Sequence, residues 1–124
     1  MKMTKSQFLL MIFLSFFSAV SLASEIETIG VTVKKIYTFE NELVWLQLTE
    51  ESRSRTVTCN HYGGDFKFYA NNEAGELMLS TLLAARLSGG LVGLKYVPTT
   101  ATAGSNQNSG CTRENMAELK VVYF

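Results

Sequence analysis

The chain has little histidine, little cysteine and no basic run, and each shortage closes off a class of function. His61 is the one histidine, and Cys59 and Cys111 are the only cysteines among 124 residues. A zinc site draws three or four ligands from Cys, His and carboxylate, and this set is too poor to assemble one easily. No metal or other cofactor is expected. Basic residues never exceed a pair such as Lys34-Lys35. The stripe that neutralises phosphates in a nucleic-acid-binding protein is therefore missing, as is a polybasic membrane-surface segment. No nucleophile elbow, phosphate-binding glycine loop or zinc-protease helix occurs. Acids come close together at Glu40 and Glu42, Glu50 and Glu51, and Glu73 and Glu76. Exposed turns and helix starts account for them without a glycosidase pair facing across a cleft. The expectation is a protein that is not an enzyme.

Long apolar runs are also scarce. The one candidate, Phe8 to Val20, is interrupted by Ser15 and Ser18, and a spanning helix needs about 20 apolar residues. Lys2 and Lys5 precede the run, and Ser21-Leu22-Ala23 follows it. A positive start, a short greasy stretch and a small-residue cleavage site are the three parts of a secretory signal peptide. The reading is a signal peptide over 1–23 and a single mature domain over 24–124. No stable membrane anchor is left after cleavage, and a periplasmic or secreted location follows. The mature part keeps 9 of the 11 basic residues against 11 acids, a net charge of −2.

In an exported chain an even cysteine count reads as a disulfide, and Cys59–Cys111 is the only pairing two cysteines allow. The alternative is a reactive thiol at Cys59 with His61 two residues on; an oxidising compartment and a second cysteine favour the bridge.

Hydrophobic periodicity supplies the elements. Ile29, Val31 and Val33 alternate in a strand from Ile26 to Tyr37, with a bulge expected near Lys34-Lys35. Phe39 to Glu42 makes the turn of a hairpin. Leu43 to Thr49 is the second strand, with Val44, Leu46 and Leu48 on one face and Leu43, Trp45 and Gln47 on the other. Glu50 to Arg55 reads as a solvated connection. Thr56–Cys59 and Asp65–Ala70 read as one interrupted strand or two short ones, with a tight turn or bulge at Gly63-Gly64 between them. An Asn71-Asn72 cap and the acid Glu73 open a helix over Glu73–Ser88. Its apolar residues cover most of the circumference, which predicts burial nearly all round. Gly89-Gly90 ends it. Leu91–Val97 is a strand in which Gly93 implies a close approach, under the helix. Pro98–Arg113 is a loop. Met116–Phe124 is the last strand, with Ala117, Leu119, Val121 and Tyr123 on one face. Its edge needs covering, either by barrel closure or by a symmetric dimer. The fold class expected is α+β: a five-stranded antiparallel sheet or a small OB-like barrel, with one helix between the third and fourth strands.

The stretch from Glu73 to Tyr96 is a helix-forming run closed by Gly89-Gly90 and followed by Leu91-Val92-Gly93-Leu94. It resembles a helix-to-strand unit of small exported bacterial proteins, which likewise carry one cysteine before the helix and one after the next strand. Within that shape the chain resembles the periplasmic immunity proteins of type VI secretion systems. The resemblance implies a non-catalytic inhibitor, sometimes a homodimer, whose partner is a cognate cell-wall hydrolase effector domain. A second resemblance, in strand–helix order, is to the OB-fold binding subunits of bacterial pentameric toxins. That one implies a glycan-binding subunit of a secreted oligomer.

Both readings need an exposed recognition surface. Most aromatic residues alternate in strands and suit a core. Phe39 and Tyr62 instead sit in or beside turns, where aromatic rings next to polar groups suit interfaces and sugar stacking. The candidate partner-binding residues are therefore Phe39, Glu40 and Glu42 on the first hairpin, with His61 and Tyr62.

Overall fold

In the computed structural model the described residues are 24–124; the signal peptide expected over 1–23 lies outside them. Five strands close into a barrel in the order β1-β2-β3-β5-β4, with β4 returning to β1. They are β1 (Ile26–Thr38), β2 (Leu43–Leu48), β3 (Phe66–Tyr69), β4 (Leu91–Val97) and β5 (Ala117–Tyr123). Helix α1 (Glu50–Ser54) lies between β2 and β3, and helix α2 (Glu73–Ser88) precedes β4.

The expectation of an all-antiparallel sheet is corrected. Four junctions are antiparallel, but β3 and β5 run parallel at Phe66↔Ala117 and Lys67↔Glu118. The reason is parity. Strand direction cannot alternate all the way round a ring with an odd number of members, so one neighbouring pair must run the same way. Closure also gives β5 a neighbour on each side, which answers the edge problem its apolar sequence raises.

A strand of 13 residues serves both neighbours because it is bent twice. The first half of β1 pairs with β4, and the register shifts between Thr28 and Val31. Gly30 sits there with φ +70°, the left-handed geometry that a bulge of this kind requires. The second half pairs with β2, and its register shifts between Val33 and Lys35, at the Lys34-Lys35 position expected. The bulge at Gly30 also corrects one face assignment: Val31 and Val33 are buried, but Ile29 turns out to solvent. An extra residue flips every side chain before it. The same happens on β5. Lys95 faces Val121 while Tyr96 faces Leu119, so Lys120 is the extra residue. Val121 and Tyr123 consequently leave the face shared by Ala117 and Leu119, and Val122 packs against the core instead.

The core fills the barrel with Val44, Leu46 and Leu48 from β2, Phe66 and Phe68 from β3, and Leu94 and Tyr96 from β4, among others. Tyr96 shows how a buried hydroxyl is satisfied: its Oη meets Thr28 Oγ1 at 3.0 Å and accepts from the Val57 amide at 3.2 Å. Its ring meets Phe66 edge-on at 4.8 Å.

Asn72 caps α2 by accepting from the Gly75 amide at 2.8 Å, and Gly89 closes it in the left-handed region. The expected burial nearly all round does not occur. Only Gly75, Leu82 and Ala85 are buried, while Leu77, Leu83 and Leu87 are exposed. The strands already fill the barrel with their own side chains, so the helix closes over it with one narrow face. At Gly75 that face comes so close that a Cβ would lie 2.1 Å from the Tyr69 carbonyl oxygen. Ala in place of Gly in a helix ordinarily gains about 1 kcal/mol. Here Gly75→Ala should reverse that sign and lower the melting temperature by several degrees in a thermal scan; a rise would mean that the backbones do not meet.

Three further expectations change. Glu50–Arg55 is not a bare connection: Thr49 caps α1, and its hydroxyl accepts from the Ser52 amide. Thr56–Cys59 is not a strand; its neighbour Asn60 makes an isolated parallel bridge to Asn106. The close approach at Gly93 is to the ring of Tyr123 across β5, not to the helix; a Cβ would lie 2.2 Å from that ring. The Tyr123 hydroxyl donates to Glu27. That hydrogen bond, followed by burial and the carboxylate charge, raises the phenol above its usual pKa of 10.0.

Candidate functional site

Strand β2 is buried on both faces, and this builds the site. One face enters the barrel. On the other, Leu43 and Trp45 join Cys59, Cys111 and Met116 in a second apolar cluster, with Tyr37 packed against it. The cover is the long loop after Val97, held down by the Cys59–Cys111 disulfide. Thr99 ties the loop further: its amide donates to the Val57 carbonyl at 3.1 Å, and its hydroxyl donates to the Asn115 carbonyl at 2.6 Å.

Two tight turns flank this cluster. At the end of the first hairpin the Phe39 amide donates to the Leu43 carbonyl at 2.8 Å, with Asn41 and Glu42 at φ 64° and 63°. In the second, His61 and Gly64 exchange both backbone hydrogen bonds at 2.9 Å, with Tyr62 at φ 47° and Gly63 at φ 96°. Positive φ at both central residues matches the twist of a hairpin, and in the second turn the bridge His61↔Gly64 is antiparallel. Asn and Gly are at ease there, whereas Glu42 and Tyr62 are strained. Strained residues that persist tend to gather at functional surfaces, and these two stand on either side of the same aromatic cluster.

The rings form a continuous set. Phe39 lies 4.5 Å from Trp45, Trp45 lies 5.5 Å from His61, and His61 lies 4.8 Å from Tyr62. Tyr37 stacks beside Phe39 at 6.4 Å. Trp45 is buried, whereas Phe39 is 41% and Tyr62 68% exposed. A groove of about 470 Å³ opens here, lined by Phe39, Leu43, Trp45 and His61, with Glu40, Asn41 and Arg113 as its polar members. His61 is held by its Nδ1, 3.1 Å from the Cys111 carbonyl oxygen. A carbonyl only accepts, so Nδ1 carries the proton and Nε2 of the neutral ring is left as an acceptor.

The structure thus brings three of the five sequence candidates, Phe39, Glu40 and His61, to the groove, with Tyr62 beside it against His61. Glu42 goes elsewhere. It lines a separate cleft between the hairpin and α2, with Glu76, Leu79 and Leu83. Sequence reasoning missed Trp45 as the floor and Arg113 as a rim group. Trp45 carried a signal, since it alternates onto the outer face of β2. Arg113 carried none, because its loop reaches β2 only through long-range ties: the disulfide and contacts such as Lys67 Nζ donating to the Arg113 carbonyl at 2.8 Å. Among the described residues no group of three or more His, Cys, Asp or Glu side chains is placed to hold a metal ion. Also among them, no helix is long and apolar enough to cross a membrane. The chain matches no family model, no curated protein and no solved structure, and the functional reading therefore rests on the geometry of this groove.

Proposed function

We propose that this chain is an exported, non-catalytic binding module whose aromatic groove takes a carbohydrate. The observation that carries the reading is the half-exposed Phe39 packed on the buried Trp45, with a carboxylate and a guanidinium beside them. A sugar ring offers an apolar C–H face and a rim of hydroxyls. An aromatic floor covers the first, while Glu40, Arg113 and the Nε2 of His61 can bond the second. Concave, mostly apolar sites with a few placed polar groups are the usual form of a small-ligand site. The closed strand order, with a helix leading into β4, supports an OB-like barrel, a scaffold that binds oligosaccharides among other ligands. The disulfide supports an oxidising compartment, the periplasm or beyond.

Phe39→Ala tests this. Glycan-array binding by the protein recovered after export should fall about tenfold or more, the equivalent of about 1.4 kcal/mol. The melting temperature should change little, because Phe39 is not core. A wild-type protein that binds no glycan would defeat the reading.

A second reading, the inhibitor of a type VI secreted cell-wall hydrolase, is favoured by one feature. The hairpin tip is acidic and is held in left-handed backbone at Asn41 and Glu42, as a rigid protruding loop would be. Glu40 and Glu42 line different clefts, so they would grip a hydrolase on two sides of the tip. Reversing both charges should weaken capture of such a hydrolase domain more than tenfold; unchanged affinity would remove the hairpin from this reading.

A further inference from the structure

The outer face of α2 presents exposed leucines that the groove does not use. Leu77, Leu83 and Leu87 are 61%, 45% and 87% exposed. Glu73, Leu77, Ser80, Ala84 and Leu87 follow one another at steps of four and three residues, the spacing of a helix–helix seam. All five are exposed. Ser80 and Ala84 are small and lie between the leucines, so a second helix could approach closely at the middle.

The charges along this face are sorted. The cleft beside the first part of the helix holds Glu42 and Glu76 and no basic residue. The cleft beside its last turn holds Lys34, Lys35 and Arg86 and no acid. Leu83 lines both, so they form one apolar track that is acidic at one end and basic at the other. Arg86 is fixed at the basic end, where its Nε donates to the Lys34 carbonyl at 2.8 Å.

We infer that this face is a self-association surface, and that its occupant is the same helix of a second copy, antiparallel about a two-fold axis between Ser80 and Ala84. In that arrangement Leu77 of each copy falls opposite Leu87 of the other. The acidic end of each meets the basic end of the other, and the helix dipoles oppose. A parallel pairing would set acid against acid and base against base. Because the pattern is complementary to itself, the contact closes as a dimer and does not propagate. The inference does not rest on the ligand of the aromatic groove, although Phe39 and Leu43 line the acidic cleft as well.

The test is sedimentation equilibrium on the protein recovered after export, at low and high salt. The expected mass is that of two copies, with the dimer weaker at high salt. Two variants sharpen it: Glu73→Lys with Glu76→Lys, and Lys34→Glu with Lys35→Glu. All four positions are exposed, so folding should survive, and circular dichroism checks that. Each variant alone should dimerise at least tenfold more weakly. An equimolar mixture should recover wild-type affinity as a heterodimer, because the reversed ends then match. A monomer at micromolar concentration, a ring of more than two copies, or variants that dimerise like wild type would each overturn the inference.

Discussion

Asp65→Ala should remove about 3–5 kcal/mol of stability, the cost of leaving a buried ion pair without one partner. Asp65 is the only aspartate in the chain and is fully buried. Its Oδ2 accepts from the Leu48 amide at 2.9 Å, and its Oδ1 accepts from Asn60 Nδ2 at 2.8 Å. Arg53 Nε lies 2.8 Å from the same Oδ1, with the guanidinium side chain only 26% exposed. One carboxylate thus joins the end of β2, helix α1, and the turn that carries His61 and Tyr62. With alanine there, the Leu48 amide loses its acceptor, and a largely buried positive charge loses its counter-charge. For a domain with a net stability of about 5–15 kcal/mol, that loss is a large fraction. Urea denaturation measures it directly. A double-mutant cycle with Arg53→Leu should show strong coupling, the double variant losing less than the two singles summed. A loss under about 1 kcal/mol would mean that water replaces the carboxylate and that the network is not closed.

Removing the disulfide should cost about 4 kcal/mol. The bridge spans a sequence separation of 52 residues, and the chain-entropy argument gives this size for a loop of that length. Both cysteines are 1% exposed and sit in the cluster under Trp45. The consequence is therefore local as well as global. Without the bridge, nothing covalent presses the loop bearing Arg113 and the Cys111 carbonyl against β2, and the backbone carbonyl that anchors His61 is held only by hydrogen bonds of its loop. Cys59→Ala with Cys111→Ala should shift the urea midpoint down and steepen the slope, because the unfolded chain without its cross-link exposes more surface. Ligand affinity should fall even under conditions where the variant is folded. Loss of stability with full retention of binding would separate the bridge from the groove.

Much of the fold was legible along the chain. Alternation in Val44, Leu46 and Leu48 against Leu43 and Trp45 marked both faces of β2, and the structure buries both. The Asn72 cap and Gly89 stop bounded α2 at Glu73–Ser88. The Lys34-Lys35 bulge was legible because the apolar period slips there. The bulges at Gly30 and Lys120 were not, since each depends on which residue of β4 lies opposite. Ile29 and Val121 were consequently placed on the wrong face. The helix was misread for a related reason. Its composition is apolar nearly all round, and composition does not say how much of that surface the barrel has room to cover.

The site divides in the same way. Phe39, Glu40, His61 and Tyr62 could be named from their places in turns, where a large or charged side chain has nothing local to pack against. The meeting of Phe39, Glu40 and His61 around Trp45, and the departure of Glu42 to the other cleft, required the tertiary structure. By itself the sequence determined the strands, the caps of the long helix and the one possible disulfide, because each follows from residues a few positions apart or from a count of two. Closure of the ring, the single parallel junction, the Arg53–Asp65 pair and the placing of Arg113 beside Trp45 were decided only in three dimensions. Each depends on segments far apart in the chain, and a local pattern carries no information about which distant segment arrives.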